Sequence, residues 1–352
     1  MGRLRATVAA LLLLSVVTAG IIGARRPARH EKGARLSAAT RATVPTTDAD
    51  PSPTTGASAP PQVTTTAKPA PPAPPPRLAS GTPRVVVSAN GVVLPVLAVD
   101  SSTFRVRTPC GAEMTVGRAT VTPVAHATVV LDAGHGGGEA GAVGSNGLAE
   151  KTVNLAVVEV TRAVLQRAGF GVVLTRGGDY RMTLASRADV VNSLRPRAFV
   201  SVHHNAEPDG PFPRPGTESY YQIASPDSKR LAGLVYEEVE RALSQYQVDW
   251  VADTDAGAKY RPGQGGDDYY AVLRRTHGTA SALAELAYIS DPPEAALLSR
   301  ADVQQVEGQA VARGIIRYLT TDDPGSGYTV PYPRTEPAGG GGGPEGCTDP
   351  PM

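Results

Sequence analysis

The stretch Thr128-Val-Val-Leu-Asp-Ala-Gly-His-Gly-Gly-Gly-Glu-Ala-Gly141, followed at Glu150 by an acidic residue that opens a helix, decides how this chain is read. Val129 to Leu131 is a short apolar run of the kind that forms a buried strand. It breaks at once into a glycine-rich loop that carries His135. Glycine lets a backbone turn sharply and approach a ligand closely, so His135 is presented at a strand end, where sites in α/β sheets gather. The loop has the look of a phosphate cradle, but no Lys-Ser/Thr signature follows it and Glu150 would repel a phosphate.

Outward from that loop the pattern alternates between strand and helix. A helix is expected from about Lys151 to Ala168, where Val153, Val157, Val160 and Val164 recur at helical spacing and Gly169 suits the position after the last turn. Strands follow at Gly171–Thr175, Phe199–His203, Gly216–Gln222 and Ser281–Leu286, and helices at Leu184–Leu194, Asp227–Leu243 and Val303–Leu319. This alternation predicts an α/β fold over residues 128–320: a mostly parallel sheet with helices on both faces. Residues 84–127 are expected to precede it as a small β module. In it Asn90-Gly91 joins two valine-rich runs in a tight hairpin and Thr103–Thr108 alternates. It reads equally as a small SH3-like barrel or as a β extension packed on the main domain.

The remaining chain is of a different texture. Arg3 and Arg5 precede an uncharged run of 19 residues, Ala6 to Ala24, and basic residues follow at Arg25, Arg26, Arg29 and Lys32. Residues 1–26 are therefore expected to be a signal peptide or an N-terminal membrane anchor, since the run approaches the ~20 residues that span a bilayer. Residues 27–83 are rich in Pro, Thr, Ala and Ser, with little to bury, and are expected to be a disordered linker; residues 321–352, with Gly339 to Gly343, are expected to be a disordered Gly/Pro-rich tail. The net charge of +1 gives no electrostatic case for nucleic acid. Cys110 and Cys347 are the two cysteines, too few for a thiolate zinc site. An oxidising compartment permits a bridge between them, but no sequence rule brings a low-complexity tail to Cys110. The reading therefore leans to a core Cys110 and a free Cys347.

His135 in the loop, Glu150 at the helix start and His203 at the end of a strand, within Ser201-Val-His-His-Asn205, together suit a catalytic zinc. Such sites use three protein ligands and leave a fourth position for water. Each residue also has an ordinary reading: a loop or capping histidine, an acid favouring the helix N-terminus, a hydrogen-bonded edge histidine.

The segments Val130–Gly137, Gly141–Gly144, Asn146–Lys151, Leu174-Thr-Arg176, Phe199–Ala206, Val272-Leu-Arg274 and Leu283–Ser290 resemble, in order and spacing, the zinc-dependent N-acetylmuramoyl-L-alanine amidases with the amidase-3 catalytic domain. The resemblance implies His135, Glu150 and His203 as zinc ligands and Glu285 as the catalytic carboxylate. It implies hydrolysis of the amide between N-acetylmuramic acid and L-alanine of the stem peptide, on peptidoglycan or its muropeptide fragments. A His203-His204 doublet stands where the family usually has one histidine, and Ala133 stands where proline is common. Aligning Ser201 and Asn205 selects His203, and strand alternation lets only one of the pair face a metal. Asp132 and Asn205 are candidates to orient the ligands. Arg176, Arg187 and Arg274 are candidates for peptide carboxylates, with a structural role the commoner fate of such arginines. Some relatives carry a helical plug; only a short connection lies between Gln222 and Ser228, and Ala252–Asp268 is the better candidate for a mobile substrate loop. The chain is expected to be exported and to act as a monomer outside the cytoplasm or at the wall, with membrane association through its N-terminus if the apolar segment is retained. A zinc peptidase cutting within the stem peptide, or an inactive wall-binding protein, are the alternatives.

Overall fold

The structure, a computed structural model, describes residues 81–206, 216–246, 257–263, 265–330 and 342–352. The expected export segment and nearly all of the linker lie outside the described residues. Among the described residues no helix is long and apolar enough to cross a membrane.

Five strands come first: β1 (Val85–Ser88), β2 (Val93–Val99), β3 (Thr103–Arg107), β4 (Glu113–Gly117) and, after a short 3-10 turn, β5 (Val121–Val124). They form an antiparallel sheet in the order β4-β3-β2-β1-β5, its first hairpin turning at Asn90-Gly91 as the sequence suggests. The second sheet has six strands: β6 (Val129–Ala133), β7 (Val172–Leu174), β8 (Ala198–Asn205), β9 (Glu218–Tyr221), β10 (Gly257–Lys259) and β11 (Ser281–Tyr288). Their order is β10-β9-β11-β8-β6-β7, parallel throughout except for the β9–β11 pair. This is the mixed α/β architecture expected of the domain.

Among the described residues six helices complete the fold: α1 (Glu150–Arg167), α2 (Leu184–Leu194), α3 (Pro226–Leu243), α4 (Ala271–Arg274), α5 (Pro292–Leu298) and α6 (Ala301–Thr320). In α1, Val153, Val157, Val158, Thr161 and Leu165 form the buried stripe. The helix ends with Gly169 N–H donating to Gln166 O and Phe170 N–H to Leu165 O, the paired bonds that close a helix over a left-handed glycine. Helices α1, α3 and α6 pack on one face, around Leu131, Val200, Val202, Ala282 and Ala284. The other face, with Val130, Phe199, Leu283 and Tyr220, shares a core with Val190 and Val191 of α2, Val272 and Leu273 of α4, and Val86, Leu94 and Phe104 of the N-terminal sheet. The β module is therefore a covering layer of the main domain. With only five short strands it lacks the area for a core of its own, and it packs its apolar side against α2.

Three expectations are corrected. Within the stretch expected to be a substrate loop, residues 257–259 form β10 and extend the sheet beside β9; residues 252–256 and 264 lie outside the described residues. The C-terminal tail is not disordered where it is described. Ala258 N–H donates to Gly327 O and Thr329 N–H to Ala258 O, so residues 327–329 run along the edge of β10. Farther on, Cys347 is bonded to Cys110, with Cα atoms 5.6 Å apart, which overturns the reading of a free thiol. The return is local chemistry that periodicity does not register: Asp349 accepts from Cys110 N–H, and Asn90 donates to the carbonyls of Pro351 and Met352.

Candidate active site

Strand order puts the site where the chain reverses its winding. From β6 the chain crosses through α1 to β7 on one side, then through α2 to β8 on the other. The carboxyl ends of β6 and β8 flank this switch point, the usual place for a binding crevice in such sheets. His135 follows β6 and His203 ends β8. The start of α1 brings Glu150 between them.

Glu150 is 4 % exposed. Its Oε2 lies 3.0 Å from His135 Nε2 and its Oε1 3.0 Å from His203 Nδ1. The carboxylate is steered by three donors: Ala142 N–H at 2.9 Å on Oε2, and Asn154 Nδ2 at 3.1 Å and His204 N–H at 3.2 Å on Oε1. Close approach needs glycine at two points. A Cβ at Gly134 would stand 2.2 Å from His203 Cε1, and one at Gly141 would stand 2.4 Å from Glu150 Oε2. His135 itself takes φ 61°, left-handed backbone that is uncommon outside glycine and collects at functional sites.

These three residues could hold a metal ion: one donor atom from each lies within 4.8 Å of the others. A tetrahedral zinc with bonds of ~2.0–2.1 Å separates its ligands by about 3.4 Å. Two imidazoles and a carboxylate also match the donor set of a catalytic zinc. Without a metal, the electrostatics of the two rings diverge. Burial works against a charge on His135, but hydrogen bonds to Glu139 and Glu150 and their charges outweigh it and raise the pKa from 6.5 to about 9. For His203 burial prevails over Glu150 and the pKa falls. Burial opposes ionisation of Glu150, yet its bonds to both rings hold it well below the ordinary carboxylate range.

The pleat sorts the doublet. His203 faces Glu150, whereas His204 points to the opposite side, 1 % exposed, with Nδ1 2.7 Å from Asn154 Oδ1 and Nε2 3.3 Å from Glu307 Oε1. Glu285 on β11 is the register partner of His203 on β8, and Glu218 on β9 is the register partner of Glu285. Adjacent strands in register point neighbouring side chains the same way, so Glu218, Glu285 and His203 form one row across three strands.

Beneath this row lies a polar layer with a different task from the one expected. Asp132 does not touch a ligand ring. It accepts from Ser201 Oγ at 2.6 Å, from Thr175 Oγ1 and from Arg187 at 2.6 Å. Arg187 in turn donates to Ala133 O at 2.7 Å and His135 O at 2.6 Å. Burial opposes the charge on Asp132, but Arg187 and the two hydroxyls lower its pKa to about 2. Arg176, fully buried, donates to the carbonyls of Ala133, Gly134, Gly178 and Lys151. Both arginines therefore shape the His135 loop by binding its carbonyls and are not placed for a peptide carboxylate. Arg274 likewise binds the carbonyls of Asp268 and Tyr269. Asn205 donates to Glu218 and to the Tyr288 hydroxyl, each at 2.9 Å, and orients no ligand ring.

Two groups were not singled out from sequence. Glu139 contacts His135 Nδ1 at 3.0 Å, and its signal was present as an acid four residues after His135 in the same loop. Glu218 is fully buried and pairs with Lys259 at 2.9 Å, with Tyr220 donating to it at 2.8 Å. A lone carboxylate inside the aromatic run Thr217-Glu-Ser-Tyr-Tyr221 was the available clue.

The sequence pattern of the N-acetylmuramoyl-L-alanine amidase family matches residues 129–317. The chain is 32% identical over 213 residues to the uncharacterized protein YqiI of Bacillus subtilis, covering 59% of this chain and 94% of that one. It is 28% identical over 212 residues to the germination-specific N-acetylmuramoyl-L-alanine amidase of the same organism, covering 56% and 82%. Among solved structures, the catalytic domain of the amidase CwlV from Bacillus (Paenibacillus) polymyxa var. colistinus is 35% identical, with 55% of this chain and 98% of that chain covered and a TM-score of 0.47. With the family pattern spanning more than half of its length, this chain belongs to the N-acetylmuramoyl-L-alanine amidase family.

Proposed function

We propose that this protein is a peptidoglycan hydrolase that uses zinc to cleave the amide between the lactyl group of N-acetylmuramic acid and L-alanine of the stem peptide. The observation that carries the reading is the convergence of His135, Glu150 and His203 at the sheet's switch point, with Glu285 beside His203 in register. Family membership supports the same bond as the target.

In this reading His135, Glu150 and His203 would hold the zinc. When bound, zinc supplies Lewis acidity, lowering the pKa of water to about 7 and polarising the scissile carbonyl. Glu285 takes a proton from the attacking water and delivers it to the departing L-alanine nitrogen. The muramyl side leaves as a carboxylate and the peptide as a free amine. Arg176 and Arg187 keep the His135 loop rigid by occupying its carbonyls. The apolar segment within residues 1–26 delivers the chain out of the cytoplasm, residues 27–83 space the catalytic domain 128–320 from it, and the enzyme works as a monomer in an extracellular or periplasmic setting.

The test is to incubate the purified protein with muramyl dipeptide and with polymeric peptidoglycan, with and without a chelator, and to identify the products by mass. Chelator-sensitive release of peptide with a free N-terminal L-alanine is the expected result. Cuts between amino acids would make it a peptidase, and no metal-dependent product would make it a binding protein.

A further inference from the structure

Glu139 joins His135 to the far end of the chain. Its Oε1 meets His135 Nδ1 at 3.0 Å, while its Oε2 accepts from Arg181 Nε at 3.2 Å. The Arg181 side chain is 15 % exposed. Its other two nitrogens donate to the backbone carbonyls of Gly343 and Glu345. Those carbonyls precede Cys347, which is tied to Cys110 across 237 residues of sequence. The same segment is fastened to the domain a second time: Gly342 O accepts from Leu184 N–H at 3.0 Å.

We infer that Glu139 and Arg181 are positioning residues for His135, and that the C-terminal segment closed by the Cys110–Cys347 disulfide holds them in place. An exposed Glu–Arg pair alone would be worth little, because two long side chains lose rotamer freedom to meet in water. Here the guanidinium is clamped on three sides, so its planar fork offers Glu139 one fixed donor. Glu139 then has one oxygen committed to Arg181 and the other aimed at His135 Nδ1. A carboxylate on the outer nitrogen of a ligating histidine fixes the tautomer and the ring direction and makes the inner nitrogen a better donor. His135 needs such support, since its left-handed backbone leaves its ring on a loop and not on a regular element.

The inference rests on the reading that His135, Glu150 and His203 hold zinc. Its test is the zinc dissociation constant of the full chain, measured by competition with a chromophoric chelator. The set is wild type, Glu139→Ala, Arg181→Met, Cys347→Ser, and the two double variants that combine Glu139→Ala with each of the others. Glu139→Ala should weaken zinc binding by about 10–100-fold. Arg181→Met and Cys347→Ser should each weaken it by about tenfold and add nothing in the Glu139→Ala background, because they act through Glu139. Arg181→Met leaves the disulfide intact and decides the matter if Cys347→Ser does not fold. Wild-type affinity in Arg181→Met, or losses that multiply independently in the double variants, would overturn the inference while leaving the zinc reading standing. Failure of the wild type to bind zinc is the separate result that removes the zinc reading and this inference with it.

Discussion

His203 and His204 are neighbours of the same residue type on one strand, and they live in two different proteins. The His203 side chain is 19 % exposed and meets Glu150 at a crevice, next to Glu285. The His204 side chain is fully enclosed between Asn154 of α1 and Glu307 of α6. The pleat makes the difference: one residue along a strand exchanges a site facing the switch point for a hydrogen-bonded core between two helices. In the proposed reading, a motif with two histidines carries one chemical residue and one architectural residue, and the two should fail in different ways.

The sharpest way to break this comparison is His203→Ala, which should abolish both zinc retention, read by metal analysis after dialysis, and turnover. Glu285→Gln should keep zinc and lose activity by about 10²–10⁴-fold, the usual worth of a positioned acid–base group. If that variant loses its metal instead, Glu285 belongs with the ligands. His204→Ala should retain zinc, yet lower unfolding free energy by about 2–4 kcal/mol, because it strips Asn154 and Glu307 of a partner in the core. Urea titration and metal analysis of the same sample check both halves; zinc loss without loss of stability would reverse the assignment of the two rings. The smallest effect concerns pH. Asp132 has its carboxyl held at about 2 against an ordinary 3.8. Its contribution of about 2 kcal/mol is present above pH 4 and disappears as pH falls from about 4 to about 2. Denaturation curves at pH 5, 4, 3 and 2 should show that loss, and Asp132→Asn should flatten this part of the profile.

The readable part of this fold was the part governed by periodicity. Val129–Leu131, the valines of α1 and the apolar run of β11 each announce an element, and their alternation announces the sheet. The candidate site was only partly legible that way: His135, Glu150 and His203 each lie at an element's edge, and it is the family resemblance that implies them as a set along with Glu285. What stayed hidden depends on partners distant in sequence. The roles of Arg176 and Arg187 are fixed by carbonyls of a loop 42 and 54 positions away. Residues 342–352 carry no period at all, and their order comes from one covalent bond and a few side-chain contacts. The three-residue strand β10 is too short to show alternation and exists because β9 offers it an edge.

The bond between Cys110 and Cys347 makes a closed ring of every residue between them, and that ring contains the whole catalytic domain. A peptide bond cut anywhere along it by a protease opens the ring without yielding two molecules. The fragments stay tethered at the site's own flank, where they can hold the fold together or re-form it. Such a nicked enzyme would migrate as one species on a gel until a reductant parts it.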